Sequence, residues 1–331
     1  MRPSFHPFLV NDPFGDPGLY IDFLFERRAL LFDLGDIRAL PPRKLLRISD
    51  IFVSHCHMDH FMGFDWLLRI RLGRERDVRL YGPPGFLDQV EGKLSAYTWN
   101  LVHRYESDFV LTVMELAEDG HARQAVFRLQ NAFQREAETE AIINDNILHN
   151  EMDFRVRCAI LDHGIPCLAF ALEEKQHVNV LKNRLAELGL AAGPWLQKLK
   201  RAILEDRPAD SPIAGPEGRI FTLGELKSCL RFTPGLKLAY VTDVLFNESN
   251  AARIENLARD ADKLFIEAVF AQELAERARD KCHLTAAQAG WLAHRAKVKT
   301  VIPFHHSPIY REQKALLQQE LQTHFRQGRS P

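Results

Sequence analysis

Ile48-Ser49-Asp50-Ile51-Phe52-Val53-Ser54-His55-Cys56-His57-Met58-Asp59-His60 is the segment on which the reading of this chain turns. Its first seven residues carry the β-branched and aromatic side chains of a strand. The strand feeds directly into a cluster of imidazoles with one carboxylate. In extended chain, residues two apart share a face, so His55 and His57 can reach one metal ion together. Asp59 and His60 lie past the strand end, where the chain turns toward a helix. They can face the other side of the same cavity and hold a second metal ion. Neutral imidazoles and a carboxylate suit Zn²⁺, and also Mn²⁺ or Fe²⁺. At this chain's residue frequencies, a chance H-x-H-x-D-H has a probability on the order of one in a thousand.

Working outward from the cluster, residues 19–25 and 29–33 read as strands around a turn at Glu26-Arg27-Arg28, with Gly35 as a stop. Trp66, Leu67, Leu68 and Ile70 predict a helix that Gly73 ends. Residues 78–81 predict a strand that runs into the sharp turn Gly82-Pro83-Pro84-Gly85. Residues 86–153 yield no assignment. Residues 154–160 and 167–172 read as strands flanking His163-Gly164. Residues 178–188 have apolar positions at helical spacing, 189–194 break it, and 195–204 resume it. The proline- and glycine-rich stretch 206–218 reads as a surface loop. Strands follow at 236–242, ending at Asp243, at 263–268, and at 300–304, which delivers His305. Helices are expected at 254–259, 285–296 and 312–325. Strands first, then strands alternating with helices, suit two packed sheets with helices outside. We read one domain over residues 1–331, with room for a short arm or insertion near 174–220.

The bulk composition agrees with an ordinary globular chain. Hydrophobic residues make up 46% of the 331, enough for a sizeable core. Lys and Arg total 43 against 44 Asp and Glu. A near-neutral chain has no global field to gather polyanions, so nucleic-acid binding must rely on a local patch. The cysteines, Cys56, Cys158, Cys167, Cys229 and Cys282, form no Cys-x-x-Cys pair and are odd in number. That excludes a disulfide framework and a cysteine-type zinc site, and fits a reducing cytosol. The first ten residues lack the apolar run of a signal peptide, and no stretch approaches the ~20 apolar residues of a membrane span. A soluble, cytoplasmic protein is expected.

The ordered set of motifs resembles the metallo-β-lactamase-fold hydrolases, and within them the ribonuclease Z family. H-x-H-x-D-H after a strand is the signature of the fold. Leu161-Asp162-His163-Gly164 resembles the family's LDH segment, and Tyr240-Val241-Thr242-Asp243 its Y-x-G-D segment. Ile266-Glu267-Ala268 with Phe270 resembles the HEATF-like strand, and His283 to Ala289 the HSTA-x-QA segment. His305-His306-Ser307 with Tyr310 resembles the H-x-S-x-R-Y end. The resemblance covers about residues 20 to 312.

It implies an α/β fold, an αββα sandwich of two mixed sheets flanked by helices, with two divalent metal ions per chain. His55, His57 and His163 would hold one metal, and Asp59, His60 and His305 the other. Asp243 would bridge them. His163 could instead cap a turn, and Asp243 could instead start a helix as its N-cap. Spacing to Ser307 and Tyr310 favours His305 over His306. The resemblance implies phosphodiester hydrolysis by a metal-bridging hydroxide, with Asp59, His283 and Glu267 as catalytic residues. His283 would act on the substrate phosphate and leaving group, and Glu267 would orient it.

The family cleaves the 3′ trailer from precursor tRNA, gripping it with a protruding arm, and usually forms homodimers. The corresponding stretch here is 189–201, with Lys198, Lys200 and Arg201 as a small basic patch that a solvated helix face explains equally well. Two departures put a tRNA substrate in question: the family's glycine-rich opening is absent, and Ile309 stands where its last motif has arginine. The competing readings are a hydrolase of another ester (cyclic nucleotide, thioester, lactone) and a metal-stabilised RNA-binding protein with weak catalysis.

Overall fold

The computed structural model describes residues 5–74, 76–175 and 177–331, apart from the side chains of His177 and Lys314. The chain divides into two compact units. Of the described residues, Phe5–Leu148, Arg157–Ala171 and Lys237–Pro331 make the larger, and His149–Val156 with Leu172–Leu236 the smaller.

The first sheet has eight strands in sequence order: β1 (Phe5–Leu9), β2 (Leu19–Phe23), β3 (Ala29–Phe32), β4 (Ile48–Phe52), β5 (Val78–Gly82), β6 (Val110–Leu116), β7 (His121–Arg128) and β8 (Arg135–Ile142). Its middle, β3 to β6, is parallel, and both flanks are antiparallel. The second sheet runs β18 (Val301–Phe304), β17 (Lys263–Glu267), β16 (Lys237–Val241), β11 (Pro166–Glu174), β10 (Phe154–Asp162), β9 (Ile147–Asn150). Strands β16, β17 and β18 are parallel.

Alternation along each strand splits its residues between two faces. Leu31, Ile51 and Val53 pack with helices α1 (Pro42–Leu45), α2 (Met58–Phe61), α3 (Phe64–Arg71) and α4 (Phe86–Ser95). Ala239, Val241, Leu264 and Ile266 pack with α8 (Glu248–Ala258), α10 (Ala286–Arg295) and α11 (Lys314–Gln327). The intervening residues face inward and are aromatic. Phe170 lies 5.3 Å from Phe32 and 5.7 Å from Phe52, and Tyr240 lies 5.8 Å from Phe32. This ring layer joins the two sheets into a sandwich with helices on both outer faces, the architecture expected from the sequence. Each such fully buried ring contributes roughly 1.5–3 kcal/mol.

The smaller unit holds the hairpin of β12 (His177–Val180) with β15 (Leu230–Thr233), a second hairpin of β13 (Pro212–Ala214) with β14 (Ile220–Thr222), and α5 (Lys182–Glu187), α6 (Trp195–Leu204) and α7 (Leu223–Lys227). Val178, Leu185, Trp195, Leu199, Leu226 and Leu230 form its own core. Two expectations need correction here. Residues 178–188 are not one helix, because Val178 pairs with Phe232 across a strand before α5 begins. The stretch 206–218 contains β13, which Ile213 anchors by burial.

Candidate metal centre

The parallel strands of both sheets deliver their C-terminal ends to one place. β4 ends at Phe52, and His55 follows in extended chain with His57 as N-cap of α2. The first turn of α2 then carries Asp59 and His60. His163 sits in the β10–β11 turn, where Gly164 takes a φ of 76°. Asp243 follows β16, Glu267 ends β17, and His305 follows β18. His305 has a φ of 58°, a left-handed conformation that costs a non-glycine residue energy. It is held there on its C-terminal side, where His306 N donates to Pro13 O at 2.7 Å and Ser307 N to Val269 O at 3.0 Å.

Asp243 is the hub. Its Oδ2 lies 3.7 Å from His55 Nε2 and 3.5 Å from His163 Nε2. Its Oδ1 lies 3.4 Å from His60 Nε2 and 3.0 Å from His305 Nδ1. Asp59 closes the second side, with Oδ2 3.1 Å from His305 Nε2 and 3.5 Å from His60 Nε2. The His57 ring stands 4.4 Å from that of His55 and 5.3 Å from that of His163. The ligating atoms of His55, His57, His163 and Asp243 converge within 4.8 Å of one another, and so do those of Asp59, His60 and His305. The structure thus brings all seven of these side chains together.

The backs of the imidazoles are tied down. His163 Nδ1 donates to the Cys282 carbonyl at 2.8 Å, and His60 Nδ1 lies 3.0 Å from Asp33 Oδ2. His55 Nδ1 meets Ser54 Oγ at 3.1 Å and Cys167 Sγ at 3.7 Å. Holding Nδ1 this way turns each Nε2 lone pair into the cage. Nε2 of His55 and of His60 is buried with no hydrogen-bond partner among the described residues. Buried polar atoms are rarely left unpaired. Two such nitrogens facing one carboxylate fit a divalent cation between them.

The cage has an electrostatic signature. Burial, then the neighbouring His60, drives the His55 pKa down to about 2. Burial also opposes the charge on His305, but the Asp243 carboxylate and hydrogen bonds to Asp243 and Asp59 outweigh it and push His305 up to about 10. Asp59 works the other way: burial raises it, yet the His305 hydrogen bond and the charge of His60 bring it down to about 2. Protons thus stand in for cations beside the carboxylates.

His283 and Glu267 lie beside the cage. His283 Nδ1 is 3.0 Å from Glu267 Oε2, while Glu267 Oε1 accepts from Val244 N at 2.8 Å. Burial lowers the His283 pKa, but the Glu267 charge and hydrogen bond win and raise it. Its ring lies 5.1 Å from His163 and 5.6 Å from His305.

Two alternatives left open by the sequence can be resolved. His306 donates from Nδ1 to the Ala268 carbonyl at 2.8 Å and packs on Phe14, so it faces away from Asp243. The N-cap of α8 is Asn247, not Asp243. On α6, Lys198 is exposed, Lys200 is half-buried, and Arg201 pairs with Glu205 at 2.8 Å, so the basic patch is thinner than its sequence suggests. Sequence reasoning missed Asp33. This fully buried carboxylate accepts from Ser54 N, Ser54 Oγ and Tyr240 OH as well as contacting His60. The available signal was a charged residue closing the apolar run Ala29–Phe32.

No family model matches the chain. Among curated proteins it is 33% identical to Ribonuclease Z of Deinococcus radiodurans over 310 residues, covering 92% of this chain and 90% of that one. It is 30% identical to Ribonuclease Z of Synechocystis sp. over 270 residues, 81% of this chain and 69% of that one. Among solved structures, the metallo-β-lactamase fold protein YhfI from Bacillus subtilis superposes with a TM-score of 0.54 at 14% identity, covering 97% and 94% of the two chains. The short form of human tRNase Z gives 0.52 at 19% identity, covering 93% of each. The structural likenesses establish the metallo-β-lactamase fold. Identity of a third across nine-tenths of both chains goes further, and places this chain in the ribonuclease Z family.

Proposed function

We propose that this chain is a metal-dependent phosphodiesterase that cleaves RNA, with the 3′ trailer of precursor tRNA as its substrate. The observation that carries the reading is the pair of orphaned nitrogens, His55 Nε2 and His60 Nε2, buried around a shared carboxylate. In it, His55, His57 and His163 would hold one divalent cation and Asp59, His60 and His305 a second, with Asp243 placed to serve both. Zinc is the first candidate by donor chemistry. Two such cations lower the pKa of a water and stabilise charge on the attacking and leaving oxygens of a phosphodiester.

The chain's own contribution is positional and protonic. Val244 N donates to Glu267 and fixes it, and Glu267 accepts a hydrogen bond from His283 Nδ1. His283 Nε2 is then free to hold a proton for the leaving oxygen, and the raised pKa keeps more of it charged near neutral pH. The stretch from Glu174 to Leu236 fits the role of a substrate-gripping arm, since its two ends are joined: Glu174 N donates to Leu236 O at 2.9 Å. A cytoplasmic homodimer completes the reading. No described helix is long and apolar enough to cross a membrane.

Elemental analysis and bis(p-nitrophenyl) phosphate turnover test it together. Wild type should carry about two metals per chain. His57→Ala should lose metal and activity. His283→Ala should keep its metal and lose roughly 10²- to 10⁴-fold in kcat on an RNA diester, whose leaving alkoxide needs a proton, and much less on the nitrophenyl diester. Full turnover by a metal-free His57→Ala protein, or turnover of a thioester with none of the phosphodiester, defeats the reading.

A further inference from the structure

Beside the cage, α3 and the residues following α4 enclose a cavity of about 510 Å³. Ligand sites run roughly 300–1,000 Å³. Trp66, Tyr97 and Trp99 wall it, with Met62, Arg38 and Arg69 among the other residues that line it. The Tyr97 and Trp99 rings lie 6.0 Å apart at 71°, and Tyr97 is 47% exposed. Arg69 is exposed and has no ion pair or hydrogen bond among the described residues, while Arg38 is held by Asp36 at 2.6 Å.

The segments that line the cavity are tied to the turn that carries Asp59 and His60. Leu34 N donates to His60 O at 2.8 Å, and Gly63 N donates to Leu34 O at 2.8 Å. A Cβ at Gly35 would run into the Asp59 carbonyl oxygen, and one at Gly63 into the Gly35 carbonyl oxygen. The segments that supply Arg38, Met62 and Trp66 are thus closed directly onto the turn bearing Asp59 and His60.

We propose that this cavity is a nucleobase subsite, holding one base of the RNA whose scissile phosphodiester lies at the cage. The inference rests on the phosphodiesterase reading above. Aromatic faces stack on any base, and a free guanidinium at the rim suits the backbone phosphate next to it.

The test uses tryptophan fluorescence of the full chain after chelator treatment, so that binding is read without the cage's metal. The titrants are AMP, adenosine and ribose 5-phosphate. AMP and adenosine should quench, and ribose 5-phosphate should not. Tyr97→Ala should weaken AMP binding about tenfold. Arg69→Gln, also at an exposed position, should weaken AMP binding while leaving adenosine unchanged. Equal quenching by ribose 5-phosphate, or AMP affinity untouched in both variants, overturns the proposal. So does fluorescence that follows protein concentration and ignores nucleotide, which would mean that a second copy covers the rings. Bis(p-nitrophenyl) phosphate turnover by metal-loaded wild type separately decides the hydrolase reading, since that compound carries no base.

Discussion

Asp33 sits one layer behind the cage, and its neighbours are donors. Ser54 N reaches it at 2.7 Å, Tyr240 OH at 2.8 Å, Ser54 Oγ at 2.9 Å, and His60 Nδ1 lies at 3.0 Å. An amide in its place cannot accept from all of them and turns an N–H toward one. Asp33→Asn should therefore loosen His60 and weaken metal affinity about 10- to 100-fold, as loss of such outer partners commonly does. Competition with a metal indicator measures this, and unchanged affinity would contradict it. His305 makes a second prediction at this scale. Its folded pKa of about 10 lies above the unfolded value of about 6.5, so its charge stabilises the metal-free fold fully below about pH 6.5. That contribution is lost as pH rises toward 10. Metal binding demands the neutral imidazole and displaces the proton, so the metal-loaded chain should show the opposite trend. Thermal melts across pH 6 to 10, with and without chelator, should show the two curves diverging as pH rises. Parallel curves would rule the account out.

Among the elements, α10 shows how local chemistry positions the site. Thr285 caps it in a full capping box: its side chain accepts from Gln288 N at 3.2 Å, and Gln288 Oε1 accepts from Thr285 N at 2.9 Å. The box fixes the turn that places His283 two residues upstream. Thr285→Ala should cost about 1 kcal/mol in urea unfolding, with a fall in kcat if His283 drifts. No loss of stability would mean the cap is dispensable. The strands that carry the cage were legible because buried parallel strands are unbroken apolar runs, as in β16 and β17, where burial pervades both faces. Asp243, Glu267 and His305 could be singled out because each closes or follows such a run. By contrast, β8 is half-buried or exposed throughout and carries Glu136, Glu138 and Glu140, with Glu138 paired to Arg123 and Arg135 and Glu136 to Arg128. Its pairing with β7 is tertiary information that composition does not carry. The same holds for β12, whose apolar spacing mimicked a helix until β15 claimed it. Asp33 was overlooked because its partners come from residues as distant in sequence as Tyr240.

At the scale of the whole molecule, the division into two units separates chemistry from the proposed grip. All the cage residues, His283 and Glu267 belong to the larger unit, while Leu172–Leu236 lies in the smaller. The stretch between Glu174 and Leu236 is closed at its two ends. Glu174 N donates to Leu236 O, and Leu236 N donates back to Glu174 Oε2, both at 2.9 Å. Chain that departs and returns between hydrogen-bonded neighbours can be replaced by a short link without stretching the backbone. The smaller unit also buries its own apolar set, so its removal does not expose the clusters around α1–α4 or α8–α11 to a lost partner within those clusters. Replacing residues 176–234 by a short glycine-serine link should then leave a folded chain that binds its metal and turns over bis(p-nitrophenyl) phosphate within a few-fold of wild type. Cleavage of a precursor tRNA should fall by orders of magnitude, mainly through KM, because lost uniform binding raises KM before it lowers kcat. Full tRNA processing by the shortened chain would refute the arm. Loss of turnover on the small diester, with metal still bound, would instead show that the smaller unit takes part in the chemistry.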